Sequence, residues 1–484
     1  MVHNGAGPAG AGGGVARREL WSVVRRLLVP VYLPWTAATL GAGVLLPVLP
    51  VYLEESGLSL SLIGVITAAA GLGSALGGIP GSAISERRGT DALLVVALTM
   101  CAVSTALLGL TTAVIVLVVL RVAYGLGFAG ITQSRQVVVA RGVEPGLLGR
   151  VNSLVGGMHR LAFVIGPVVG GGVYNTWGAN PTFILAGALT SVGLLTLSLP
   201  GGRDRHPVAT EANRVRIGAS LWQHRRRLFV AALGPLLVAS ARSGRHVVVP
   251  LIGDDLDLNA ASIGLVVAVG TAADFMLFPV SGWLMDRHGR LASMVPAFSL
   301  MAFGMLLLSL ADSVTAVVVA GIVMGLGNGL SAGTMLTLST DLAPADEPGP
   351  FIAGFHTVSG AGTIIGPLMV GWIADAVGLG AAAFALAVSL AAGTAWIAFV
   401  IGETGKERAE KQCATVILFG PIGCGASICS GPPWATRRCS SGWIPTSFSK
   451  RPARQPVCRT SVTMTGSPRS GRLSAPWSAM PSSR

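Results

Sequence analysis

Apolar runs of about 20 residues recur twelve times along this 484-residue chain. A helix rising ~1.5 Å per residue needs about 20 residues to cross ~30 Å of hydrocarbon. Inside a bilayer the backbone must satisfy its own hydrogen bonds, which such a run does as an α-helix. The predicted spans are residues 30–53, 59–81, 92–110, 112–134, 151–173, 180–199, 228–251, 262–284, 291–310, 313–337, 352–373 and 380–401. Short charged or Gly/Pro-rich breaks separate them. Only 11% of the residues are charged, too few to keep so long a chain in water. The expected fold class is therefore an all-α membrane protein of twelve transmembrane helices.

The net charge of +13 could serve nucleic acid or a membrane, and the placement of the arginines decides between them. They fall in alternate loops. One side carries Arg87 and Arg88, then Arg141 and Arg150, then the cluster from Arg203 to Arg227, then Arg287 and Arg290. The other carries Glu54, Glu55, Asp254, Asp255, Asp257 and Asp312, with no Lys or Arg. The positive-inside rule then predicts a multi-pass protein of the inner (plasma) membrane with both termini cytoplasmic. Residues 1–29 read as an uncleaved cytoplasmic segment, and the polar partners expected are membrane lipids rather than nucleic acid. One inner loop breaks the rule: Asp341, Asp346 and Glu347 have no basic neighbour in the sequence.

The chain matches itself at an offset of 200 residues in three separate places. Glu86, Arg87 and Gly89 align with Asp286, Arg287 and Gly289; Gly125 and Gly127 align with Gly325 and Gly327; Gly166-Pro167 aligns with Gly366-Pro367. Three matches in register imply two homologous six-helix bundles, residues 30–199 and 228–401. The basic stretch 200–227 reads as a cytoplasmic linker whose Arg225, Arg226 and Arg227 lie against anionic headgroups. Halves running in the same direction imply a two-fold axis along the membrane normal, a small-molecule cavity between the bundles, and alternating access by rocking. A monomer is expected.

The segment Gly282-Trp283-Leu284-Met285-Asp286-Arg287-His288-Gly289-Arg290 resembles the signature loop of the major facilitator superfamily: Gly, three residues, Asp-Arg, one residue, Gly and a basic residue. Its counterpart keeps Arg87 and Gly89 but has Ser82 for Gly, Glu86 for Asp and Thr90 for the base. The Gly allows a tight turn between helices, and the carboxylate and Arg can pair across the bundles to hold an inner gate. In the fifth helix, Gly166, Pro167, Gly170 and Gly171 are similar to the Gly-Pro-x-x-Gly-Gly element of the drug:proton antiporters in that superfamily. Small residues let backbones approach and Pro167 bends the helix, so this element and Gly366-Pro367 would shape a switching interface. Arg121 with Gly125 and Gly127 is similar to an element whose Arg handles protons, with Tyr124 where Gln is usual. The resemblance spans residues 27–401. It implies a secondary transporter that exports a small organic molecule or drug in exchange for protons. The alternatives are a proton-coupled importer of an organic anion, a transporter-like receptor, or a non-functional product.

Charged side chains at bilayer depth cost at least ~2.5–3.5 kcal/mol each, so each needs a partner or a watery cavity. Arg121 in the fourth helix, Arg160 in the fifth, Arg242 and Arg245 in the seventh and Asp274 in the eighth are the candidates for proton coupling or for lining the cavity. Asp274 is the one midplane carboxylate. An Arg that moves relative to it would make it take up and release a proton. The other reading is a permanent pair with Arg242 or Arg245 that ties the seventh helix to the eighth. The surplus of arginines points either to an anionic substrate or to side chains that snorkel. His159, His246 and His356 read as structural.

Gly125 to Gly130 formally matches a dinucleotide fingerprint but follows no strand, and Gly405-Lys406 lacks the rest of a phosphate loop. No nucleophile–base pair stands out, so neither an enzyme nor an ATP-driven pump is expected. Cys101 lies within the spans; Cys413, Cys424, Cys429, Cys439 and Cys458 crowd the tail at spacings that match no zinc site. No cofactor and no metal is expected. Residues 402–484 form an atypical tail, with nine basic residues and no acidic one after Lys411. It reads as a shifted reading frame or as a disordered basic tail at the membrane surface.

Overall fold

A computed structural model describes residues 21–144, 146–199, 225–344 and 348–404. The first 20 residues, most of the linker, Asp346, Glu347 and the tail from residue 405 lie outside the described residues. Among the described residues every regular element is a helix. The first bundle comprises α1 (Trp21–Glu55), α2 (Leu60–Leu76 and Gly78–Arg88), α3 (Thr90–Leu110), α4 (Val114–Gly142), α5 (Leu148–Trp177) and α6 (Ala179–Thr196). The second comprises α7 (Arg225–Asp255), α8 (Ala260–His288), α9 (Arg290–Ser309), α10 (Val314–Leu342), α11 (Pro348–Val377) and α12 (Leu379–Ile401).

Ten of these are individually long and apolar enough to cross a bilayer. The eleventh, α2, is bent by 44° between its two segments, where Gly77-Gly78 and Pro80 leave little side-chain packing and remove a backbone donor. The twelfth, α7, carries Arg242, Arg245 and His246 at mid-length, which dilute its apolar character. Several helices outrun the predicted spans. Thus α1 begins at Trp21 rather than residue 30, with Arg25 and Arg26 exposed in its first turns. Hydropathy reports the lipid-immersed length, whereas the helix continues into the headgroups, where arginine is readily accommodated.

Within the first bundle α1 packs on α5 and α6, α4 on α2 and α3, and α3 on α6. The same pairings recur as α7 on α11 and α12, α10 on α8 and α9, and α9 on α12. The repeat extends to the backbone. Left-handed residues Gly57 (φ 78°), Gly89 (φ 88°) and Gly178 (φ 81°) return 200 positions later as Asp257 (56°), Gly289 (94°) and Gly378 (112°). Ser59 accepts the Leu62 N–H at the start of α2, and Asn259 accepts the Ser262 N–H at the start of α8. Gly89 and Gly289 combine positive φ with ψ of 164° and 174°, a region essentially closed to any residue with a Cβ. That conformation explains the glycine in both signature loops.

The up-and-down order of the helices gathers Glu54, Glu55, Asp254 and Asp255 at one end of the molecule, the acidic end. Arg87, Arg88, Arg287 and Arg290 mark the other, the basic end.

Candidate functional site

Two seams join the bundles toward the acidic end, α5 against α8 and α2 against α11. A Cβ on Gly264 would lie 2.2 Å from the Pro167 carbonyl oxygen, and one on Gly171 would lie 2.2 Å from that of Ala260. In the second seam a Cβ on Gly64 would lie 2.6 Å from the Pro367 oxygen, and one on Gly371 would lie 2.5 Å from that of Leu60. The two seams are the same contact repeated 200 positions apart. Gly166 and Gly170 press instead on Gly43 and Val44 of α1, and Gly366 on Ser240 of α7. Each Gly-Pro element is thus wedged between the first helix of its own bundle and a helix of the other. Asp375 breaks the symmetry: its carboxylate accepts the Leu60 and Ser61 N–H groups at 3.1 and 3.0 Å, while Asn175 stands at the equivalent position in the first half.

Deeper in the α5/α8 interface, Asp274 is 4% exposed. It accepts Arg160 Nε at 3.0 Å and Asn328 Nδ2 at 2.7 Å. Arg160 also lies over the Phe278 ring, 4.3 Å from its centroid. The pair therefore crosses from one bundle to the other. The expected pairing with Arg242 or Arg245 is replaced, because the face of α8 that carries Asp274 meets α5 and α10. Arg242 donates to Ser331 Oγ and lies over the Phe298 ring. Arg245 borders a small cavity of about 40 Å³ between α1, α7, α8 and α10, which shares Leu46 and His246 with the central cavity.

The central cavity, about 500 Å³, is walled by Arg121, Tyr124 and Phe128 of α4, His159 and Phe163 of α5, His246 of α7, and residues of α1, α2 and α11. A second cavity of about 580 Å³ shares Gly71, Ser74, Phe128 and Thr363 with it and continues past Gln133, Gln136 and His356 toward the basic end. Of the five ionisable candidates, Arg121 is the one on the central wall. It is 7% exposed, with its guanidinium 4.9 Å from the Tyr124 ring centroid. Rings continue from there: Tyr124 to Phe128 (6.0 Å), Phe128 to Trp35 (5.8 Å), Trp35 to His159 (5.8 Å) and His159 to Phe163 (4.6 Å). The sequence reading set His159 and His246 aside and missed this aromatic wall. A signal existed in the spacing, since Arg121, Tyr124 and Phe128 share one face of α4 and His159 and Phe163 one face of α5.

At the basic end Arg290 Nε pairs with Asp341 at 3.0 Å. Asp341, one of the three acids that broke the charge rule, thus finds its base in the signature loop, 51 positions away. Glu403, just past α12, accepts the N–H groups of Arg290 and Leu291 at 2.8 and 3.0 Å. Arg287 lies 5.7 Å from the Trp283 ring centroid. These contacts stay within the second half. Glu86 and Arg87 stand at the end of α2 and Asp286 near the end of α8. Gly282 has nothing within 4 Å of a Cβ position.

Two six-helix bundles that seal in glycine seams at one end, enclose a central cavity and are bridged at mid-depth by a buried ion pair define a membrane carrier. The sequence pattern described as Major Facilitator Superfamily matches residues 36–244 and again residues 231–449, and the chain belongs to that superfamily of carriers, which are not enzymes. The second match runs beyond residue 401, where the motif resemblance stopped. An uncharacterized MFS-type transporter of Methanocaldococcus jannaschii is 20% identical over 347 residues, 70% of this chain and 89% of that protein. A multi-drug resistance efflux pump PmrA homolog of Lactococcus lactis subsp. lactis is 26% identical over 211 residues, 40% of this chain and 52% of the pump. In fold, the chain is similar to the nucleoside transporter NupG, with a TM-score of 0.63 at 13% identity over 77% of this chain and 99% of that one.

Proposed function

We propose that this carrier expels a small organic molecule across the plasma membrane in exchange for protons, with both termini in the cytoplasm and the acidic end outward. The ion pair between Arg160 and Asp274 carries the reading, because it joins the two bodies that must move apart. In the form described, the acidic end is sealed and the cavity leads toward the basic end. Opening the outer side parts α5 from α8 and separates the pair. A carboxylate left without its cation in a low-dielectric interior takes up a proton, and the return of the arginine expels it. The seams at Gly166-Pro167 and Gly366-Pro367 act as the switching interface, the signature loops as the inner gate, and Arg242 and Arg245 hold positive potential around the pair. Similarity to the lactococcal efflux pump supports outward transport.

The test loads cells expressing the full chain with a fluorescent amphipathic dye and follows its loss with and without an uncoupler. Uncoupler-sensitive efflux that disappears in Asp274→Asn is expected. Proton-driven efflux that persists in Asp274→Asn refutes the coupling role.

A further inference from the structure

We propose that the central cavity recognises an aromatic anion, with Arg121 binding the anionic group and Tyr124, Phe128 and Phe163 holding the ring. This rests on the reading of the chain as a carrier whose substrate enters that cavity. A guanidinium keeps its charge even when buried, and a buried charge without a partner is costly. The other three arginines named above differ from Arg121. Arg160 is paired with Asp274, Arg242 donates to Ser331, and Arg245 adjoins a cavity of about 40 Å³.

Arg121 is 7% exposed and borders the cavity of about 500 Å³, yet its Nε and Nη1 have no hydrogen-bond partner within the protein. The Tyr124 ring offers its face but no acceptor in the guanidinium plane. Two more buried polar atoms on this wall, Thr67 Oγ1 and His159 Nδ1, also lack partners. Among the described residues, the wall has no Asp or Glu. Arg121 therefore brings a charge with unused donors to the edge of a cavity whose wall supplies no carboxylate to balance it. A carboxylate or sulfonate supplies the missing negative charge and an acceptor for a charge-assisted hydrogen bond. A flat ring attached to it meets the aromatic wall, and the volume suits a drug-sized molecule. A neutral ligand leaves the guanidinium unpaired, and a cation is repelled.

The test measures equilibrium binding to the full chain in lipid nanodiscs, so it needs neither transport nor proton coupling and stands apart from the efflux assay. Three probes of one shape are titrated calorimetrically: 2-naphthoate, 2-naphthamide and 2-naphthylmethylammonium. The expected result is that naphthoate binds about tenfold or more tightly than either other probe, the preference that ~1.4 kcal/mol confers. Arg121→Gln is expected to erase that preference and Arg121→Lys to keep most of it. Arg150→Gln, which removes the same charge from an exposed site, should leave it unchanged. Should Arg121→Gln fail to fold, the comparison of the three probes on the parent chain decides the matter. Absence of naphthoate binding, equal binding of the three probes, or a preference that survives in folded Arg121→Gln overturns the proposal.

Discussion

Replacing Gly264 by alanine should bias this carrier toward the form open at its acidic end. The added Cβ would sit 2.2 Å from the Pro167 carbonyl oxygen and 3.3 Å from Gly171 Cα. Both are backbone atoms that no rotamer change can move. Ordinary contact begins at 3.4 Å, so α5 and α8 must part by about 1.2 Å, the difference between the two distances. Overpacking of this kind costs ~1–3 kcal/mol. The cost falls on the sealed form alone, so the equilibrium between forms shifts by roughly 5- to 150-fold. Spin labels at Trp177→Cys and Val377→Cys report the change, in a background with the native cysteines replaced. These positions are equivalent under the repeat, 70% and 75% exposed, and lie at the acidic ends of α5 and α11. Electron–electron resonance should show a longer distance population growing in Gly264→Ala. Gly172→Ala, with nothing within 4 Å of its Cβ, should match the parent. Identical distance distributions in both variants would refute the seam as the element that holds the acidic end shut.

Three further outcomes follow from contacts described above. Arg160→Met strands Asp274 in the interior and should lower unfolding stability by about 3–5 kcal/mol, with Arg160→Met/Asp274→Leu recovering most of it; a double variant as unstable as the single one counts against the pair. Gly289→Ala forces a Cβ into the backbone region at φ 94° and to 2.8 Å from the Glu403 carboxylate, and a loss of about 1–3 kcal/mol is expected in thermal unfolding. Gly282→Ala serves as its control, and equal melting of the two variants would sink the explanation. Asp375→Ala removes the acceptor of the Leu60 and Ser61 N–H groups, so the same label pair should report a larger open population, and an unchanged distribution argues against a latch.

What could be read from the chain followed from constraints that act along it. A bilayer imposes a helix length, and duplication imposes a register, so the twelve helices and the 200-residue offset were legible; the offset then reappeared in left-handed turns and caps that no motif had flagged. The site was legible in part. Asp274 stood out because a carboxylate at that depth is costly, but its partner Arg160 lies 114 positions away on another bundle, and hydropathy does not say which face α8 turns toward α5. The same blindness hid the wall formed by His159, Phe163 and Phe128. In a helix that is apolar all round, no hydrophobic stripe separates the cavity side from the lipid side. The pairing of Arg290 with Asp341 escaped for a related reason, since sequence proximity is a poor guide to which charges meet between helix ends.

The seams have a thermal consequence. Their closest contacts are between glycine Cα atoms and peptide carbonyls, so parting them at these points uncovers little apolar surface. Heat-capacity change scales with the apolar area newly hydrated, so the switch between forms should carry a small one. Its van't Hoff plot should then be nearly straight, and the poise of the carrier should drift only gradually as the membrane warms or cools.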